Sequence, residues 1–180
     1  FLCEGEWSED ATCYEVLTRI LADGFCSRLS SKIRDELGLV YEIDSAANLF
    51  SDAGSIDVTA SVAVANIEEV IHELMVQLSE LAQEGPSEEE VERAVGRSLI
   101  DLELLTCCPE MVGFRLGWET ICGRRASLMR DHQNLRAVSQ DKLAAICRRL
   151  FKPSKLALVM LGPQQEGLEK MALKIIRKML

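Results

Sequence analysis

Arg34 and Tyr41 are the two residues of this sequence whose types and spacing could do chemistry together, as a pair of hydrogen-bond donors. They lie in the stretch from Ser27 to Tyr41, where Leu29, Ile33 and Leu37 recur every four residues and predict a short amphipathic helix. Gly38 stops that helix and a strand starts just after it. Arg34 therefore sits near the helix end and Tyr41 at the strand start, and the glycine turn folds one back beside the other so that both polar tips reach one cavity. The same residues admit a plainer account, an exposed arginine that suits the helix dipole and an edge aromatic packed on its neighbours. Residue types alone leave both accounts open.

The elements that must position this pair follow from periodicity. Ser8 or Asp10 is placed to cap a first helix with Tyr14, Leu17, Ile20 and Leu21 on one face, ending near Gly24. After the organising helix, Tyr41, Ile43, Ser45, Ala47 and Leu49 share one face of a strand. A turn at Ser51 to Gly54 leads into Ser55 to Val64, whose strict alternation predicts the second arm of an antiparallel hairpin. From Asn66 the period becomes helical, with Ile67, Val70, Ile71, Leu74, Met75, Leu78 and Leu81 in one stripe up to Gly85-Pro86. Ser87 and Glu90 form a capping box for a helix with Val91, Ala94, Val95, Leu99, Leu102 and Leu105 inward, and Pro109 opens another through Met111, Phe114, Trp118 and Ile121 to Gly123. A polar link from Arg124 to Val138 holds at most a short helix, and Ser139 caps a segment with Leu143, Ile146, Cys147 and Leu150 inward. The apolar run Leu156 to Leu161 predicts a strand covered on both faces, and Glu166 to Leu180 a closing helix. Together these elements give an α+β fold in two layers, an antiparallel or mixed sheet packed against helices, over a single domain from 1 to 180.

Composition narrows the functions. The formal charge of −9 argues against nucleic acid or an anionic membrane surface as partner, and the longest apolar run is too short to span a bilayer. Seven cysteines without a C-x-x-C spacing favour reduced, buried thiols and a reducing compartment over a disulfide framework or a zinc knuckle. The chain opens on apolar Phe1-Leu2-Cys3, as if a strand were entered partway, and reads as a piece of a longer polypeptide.

Other candidates carry bland explanations. His72 is off its helix's apolar stripe and His132 lies in the polar link, which makes surface residues of both. Glu88, Glu89, Glu90 and Glu92 complement a helix N-terminus. Adjacent Cys107 and Cys108 bond only with strain, so a helix-end packing role is the plainer one. Phe114 and Trp118 fit either the core or a contact between domains.

The order of these elements, with S-R-L-x-x-x-I-R-x-x-L-G-L-x-Y, resembles one domain of the pitrilysin-type zinc metallopeptidases, the group of insulin-degrading enzyme and mitochondrial processing peptidase. The resemblance runs through Leu17 to Gly24, Ser27 to Tyr41, Ser51 to Gly54, Glu84 to Glu90, Gly123-Arg124 and Leu158 to Pro163. It implies duplicated α+β domains facing each other across a closed cavity, one half carrying H-x-x-E-H and a distal Glu, the other lacking them. The corresponding place here, around Glu15 to Arg19, holds no histidine, so the chain resembles the C-terminal-type, metal-free half.

By that resemblance Arg34 and Tyr41 match an Arg and a Tyr that reach across the cavity to the scissile peptide. Negative charge gathers on the carbonyl oxygen during hydrolysis, and a phenol and a guanidinium can donate to it. The implied function is the non-zinc half of a metalloendopeptidase, inactive alone, with no metal or cofactor of its own. Zinc is then expected in a partner half-domain of the same polypeptide or a partner subunit, with a peptide as substrate. The alternative is a non-catalytic scaffold of the same fold, as in the core proteins of respiratory complexes; a chaperone-like peptide-binding domain is a third reading.

Overall fold

The computed structural model describes residues 1–24, 26–123, 127–163 and 166–179. Three strands, β1 (Leu2–Cys3), β2 (Val40–Leu49) and β3 (Gly54–Val62), form an antiparallel sheet in the order β1-β3-β2. Against one face lies α1 (Ala11–Leu21), and a seven-residue π-helix (Ser30–Glu36) leads into β2. The chain continues through α2 (Ile67–Glu84), α3 (Glu88–Thr106), α4 (Pro109–Ile121), α5 (Leu128–Arg136), α6 (Gln140–Leu150) and α7 (Leu168–Met179). The two-layer α+β arrangement read from periodicity is thus the one observed. No described helix is long and apolar enough to cross a membrane.

The core forms where the helical stripes meet the inner sheet face. Val16, Leu17 and Leu21 of α1 and Leu78 and Leu81 of α2 are wholly buried, as are Leu29, Ile33 and Leu143. Each such side chain contributes about 1.5–3 kcal/mol through the water it sheds. Alternation along β3 sends Ile56 inward while Asp57, Thr59 and Ser61 face solvent. The hairpin tip is fastened where the Glu6 amide donates to Phe50 O at 2.7 Å. Gly5 permits that approach, since a Cβ there would sit 2.3 Å from Phe50 O.

Several expectations need correction. The organising helix is wound as a π-helix, with Leu37 N–H donating to Lys32 O, five residues back, at 3.1 Å. The wider turn keeps Leu29 and Ile33 inward, together with Ser30, but turns Leu37 toward solvent. Asp10 occupies the N-cap of α1 without a side-chain cap; its carboxylate is taken by Arg149 and Lys142. Of the seven thiols, all free, Cys13 and Cys147 are buried but Cys26 and Cys107 are exposed. Only the N-terminal half of α3 packs fully, through Val91 and Ala94, and α4 turns Met111, Phe114 and Ile121 outward.

The largest departure is Leu156 to Leu161. No ladder hydrogen bond pairs this run with another described strand, and Leu158, Val159, Met160 and Leu161 are exposed. Its composition suits a covered strand; among the described residues the covering neighbour is missing. Of the Gly123-Arg124 loop, Arg124 lies outside the described residues, while Gly123, at φ +71°, ends α4 as its position suggests.

Candidate functional site

The corner carrying Arg34 and Tyr41 is built by Gly38. At φ +63° it adopts the left-handed conformation that L side chains avoid, and it sends the chain from the π-helix into β2. Its amide donates to Arg34 O at 3.2 Å and the next amide, Leu39, to Ile33 O at 3.0 Å, closing the helix end. Asn66 Nδ2 donates to Leu39 O at 3.2 Å and fixes the outgoing strand. Val40 is buried, so the strand enters the sheet anchored on both sides of the turn.

Tyr41 then departs from the simple alternation. Val40 pairs with Val62 and Glu42 with Ser61, which leaves Tyr41 as the extra residue of a β-bulge. Tyr41 therefore does not share the inner face with Ile43; it is 93% exposed, whereas Val40 and Ile43 are buried. The bulge takes the phenol out of the packing face and holds it at the surface. Beside it the outer sheet face forms a shallow groove bordered by Glu42, Asp44, Thr59 and Ser61.

Arg34 lies in the last turn of the π-helix, half-buried along its stem. Asp35 holds its fork, Nε donating to Oδ1 at 2.7 Å and Nη2 to Oδ2 at 3.2 Å. That hydrogen-bonded pairing raises the guanidinium's pKa and lowers the carboxyl's, so both stay charged across the neutral range. Arg34 and Tyr41 flank one turn, and neither is sealed in the core. The arrangement supplies a fixed positive charge and a phenolic donor at one corner.

The place where the resemblance would put a metal motif is organised differently. Arg19 bridges Asp101 of α3 and Asp23, each at 2.8 Å. Arg115 of α4 contacts Asp131 at 2.6 Å and Glu119 at 3.4 Å, and Trp118 Nε1 donates to both Glu6 carboxylate oxygens at 3.3 Å. Burial raises the pKa of Glu15, against the pull of Arg115 and Arg19. Zinc requires several converging nitrogen, sulfur or oxygen ligands, and this set of arginine-paired carboxylates does not fit it. Among the described residues no three His, Cys, Asp or Glu side chains group as metal ligands. His72 is exposed and His132 half-buried.

Arg28 escaped the sequence reading. Its guanidinium grips Glu90, 62 residues away, with two hydrogen bonds, and approaches Glu80 at 3.7 Å. The only local signal was Glu90 as a capping-box residue.

The family described as Peptidase M16 inactive domain matches residues 3–97. The chain belongs to this family. An uncharacterized zinc protease of Streptomyces coelicolor is 27% identical over 158 residues, covering 84% of this chain and 33% of that protein. The chain thus spans about a third of that relative's length. Among solved structures, a protease from Helicobacter pylori superposes with a TM-score of 0.76 at 15% identity, over 86% of this chain and 38% of the other. A chain of Complex III2 from Candida albicans does so with a TM-score of 0.69 at 19% identity, over 82% and 38%. These two share the fold of this M16 inactive domain.

Proposed function

We propose that this M16 inactive domain completes the substrate cavity of a zinc metalloendopeptidase and supplies Arg34 and Tyr41 to the scissile peptide. The observation that carries this reading is the Gly38 corner, where a bulge holds the phenol outward while the guanidinium stands on the adjoining helix turn. The family match and the zinc-protease relative support it. The metal, in this reading, belongs to another half of the parent polypeptide or to a partner subunit, and this chain alone does not hydrolyse peptides.

Within that cavity the two side chains act as donors. Arg34 offers fixed positive charge at a position where Asp35 limits its swing, which binds and orients a peptide carbonyl. Tyr41 donates its O–H as negative charge collects on the carbonyl oxygen. Loss of one such donor costs on the order of a hundredfold in turnover. In the parent enzyme with its zinc half, Tyr41→Phe should lower kcat by about that factor with zinc content unchanged. Full activity would remove Tyr41 from the mechanism.

The competing reading is a scaffold subunit of the same fold. It is favoured by α4, whose outward Met111, Phe114 and Ile121 form apolar surface of the sort an assembly partner covers. An H-x-x-E-H motif elsewhere in the parent or in its partner subunit supports the peptidase; its absence from both supports the scaffold.

A further inference from the structure

The outward side of α7 is a row of unpaired positive charge. Ala172 and Ile176 are buried, and Met171, Ile175 and Met179 are half-buried against the core, so the helix packs on α2 by one side only. Lys170, Lys174, Arg177 and Lys178 stand at i, i+4, i+7 and i+8, which brings them together on the other side, and all four are exposed. With Leu173 they line an open groove of about 440 Å³.

The needs of the helix itself do not account for this stripe. Arg177 and Lys178 suit the negative C-terminal end of the helix dipole, but Lys170 lies in the first turn, at the positive end, where a cation is unfavourable. Lys170 faces Lys174 and Lys174 faces Lys178 at a spacing of four residues, and like charges so placed repel. Glu169, the acid of the same first turn, projects about a quarter turn round the helix from Lys170. None of the four cations makes an ion pair among the described residues, whereas every arginine of α1, α3 and α4 holds a carboxylate. In a chain of formal charge −9, four neighbouring cations left without an acid call for an anion from outside.

We propose that the outer face of α7 is a binding site for a small soluble anion that carries several adjacent phosphate groups. Ammonium and guanidinium donors are the usual partners of phosphate oxygens. Side chains three and four apart on a helix stand about 5–6 Å from each other at Cβ, so one such ligand reaches all four. Size decides between the sources of phosphate. The Debye length in physiological salt is about 8 Å, and a ligand confined to the groove therefore feels the stripe and little of the acidic remainder of the surface. A membrane or a nucleic acid extends well past the stripe and is repelled by that remainder. Occupancy cancels the repulsion within α7 and so firms the helix on α2. This inference is independent of the roles given to Arg34 and Tyr41.

Calorimetric titration of the parent protein with sodium tripolyphosphate, in about 0.15 M salt, tests the site. The expected result is saturable binding that is at least about tenfold weaker in the Lys170→Ala/Lys174→Ala variant, which loses two charge-assisted contacts at exposed positions. No saturable binding overturns the proposal. Binding retained in the variant assigns the heat to another site or to chelation of a metal and overturns it too, as does equal affinity for sulfate or tighter binding to phosphatidylserine vesicles. Hydrogen exchange on the unmodified parent gives an answer that needs no variant. Amides of α7 should exchange about tenfold more slowly with saturating tripolyphosphate than without it, and unchanged exchange overturns the proposal.

Discussion

Arg28 donates through Nε and Nη2 to the two carboxylate oxygens of Glu90, each at 2.8 Å. The same carboxylate accepts from the Ser87 amide at 2.7 Å while Ser87 Oγ accepts from the Glu90 amide at 3.2 Å. One side chain thus closes the N-terminus of α3 and ties that helix to the turn before the π-helix. Both partners are largely shielded from water, at 20% and 13% exposure. Arg28→Ala should cost about 2 kcal/mol, the usual loss for charge-assisted hydrogen bonds. A thermal melt should show a Tm lower by about 4–8 °C.

The same pair sets an acid limit. Burial works against charge on Glu90, but the hydrogen bonds from Arg28 and Ser87 outweigh it and hold the carboxyl below its ordinary 4.5. A carboxyl depressed on folding adds stability above its unfolded pKa and loses it as pH falls through the folded one. The stability difference between wild type and Arg28→Ala should therefore be constant from neutral pH down to about 5 and shrink below about 4. Chemical denaturation at stepped pH measures it.

Gly38 isolates the backbone cost of the functional corner. Its φ of +63° is unfavourable for L residues, while a Cβ placed there meets nothing within 4 Å. Gly38→Ala should lose about 1 kcal/mol from conformation alone, and Gly38→Asn less, because asparagine tolerates the left-handed region. Denaturant midpoints should be highest for the wild type, lower for Gly38→Asn and lowest for Gly38→Ala.

Thiol labelling should divide the cysteines. Cys26 and Cys107 are exposed, whereas burial raises the Cys13 thiol and pushes Cys147 up to about 12. A maleimide at neutral pH should modify the first two in the native state and reach Cys13 and Cys147 only on unfolding. Mass mapping of the labelled peptides reads the result.

What could be read from residue order was what depends on near neighbours. The stripes of α1 and α6 bury the residues expected of them, and the α2 stripe buries all but Ile67 and Leu74, which are half-buried. β3 alternates as expected, with Ile56 buried and Val58, Ala60 and Val62 half-buried. Ser87 and Ser139 accept from Glu90 N and Lys142 N as their capping positions imply, and Gly38 and Gly123 stop their helices. What could not be read depends on distant partners. The π winding concerns which carbonyl an amide selects, and residue types do not encode that offset. Tyr41 leaves the inner face because β3 sets the register across from it. The Arg28–Glu90 clasp joins segments 62 residues apart. Leu156–Leu161 is composed for burial, but composition does not supply the neighbour that buries it.

The single unpaired residue at Tyr41 makes the corner sensitive to parity. Adding or removing two residues between Gly38 and Ile43 would leave an aromatic pointing outward; adding or removing one would exchange it with a core side chain. A one-residue change in length there would leave the chain either a filled sheet interior or an outward phenol, and the odd residue is what lets it have both.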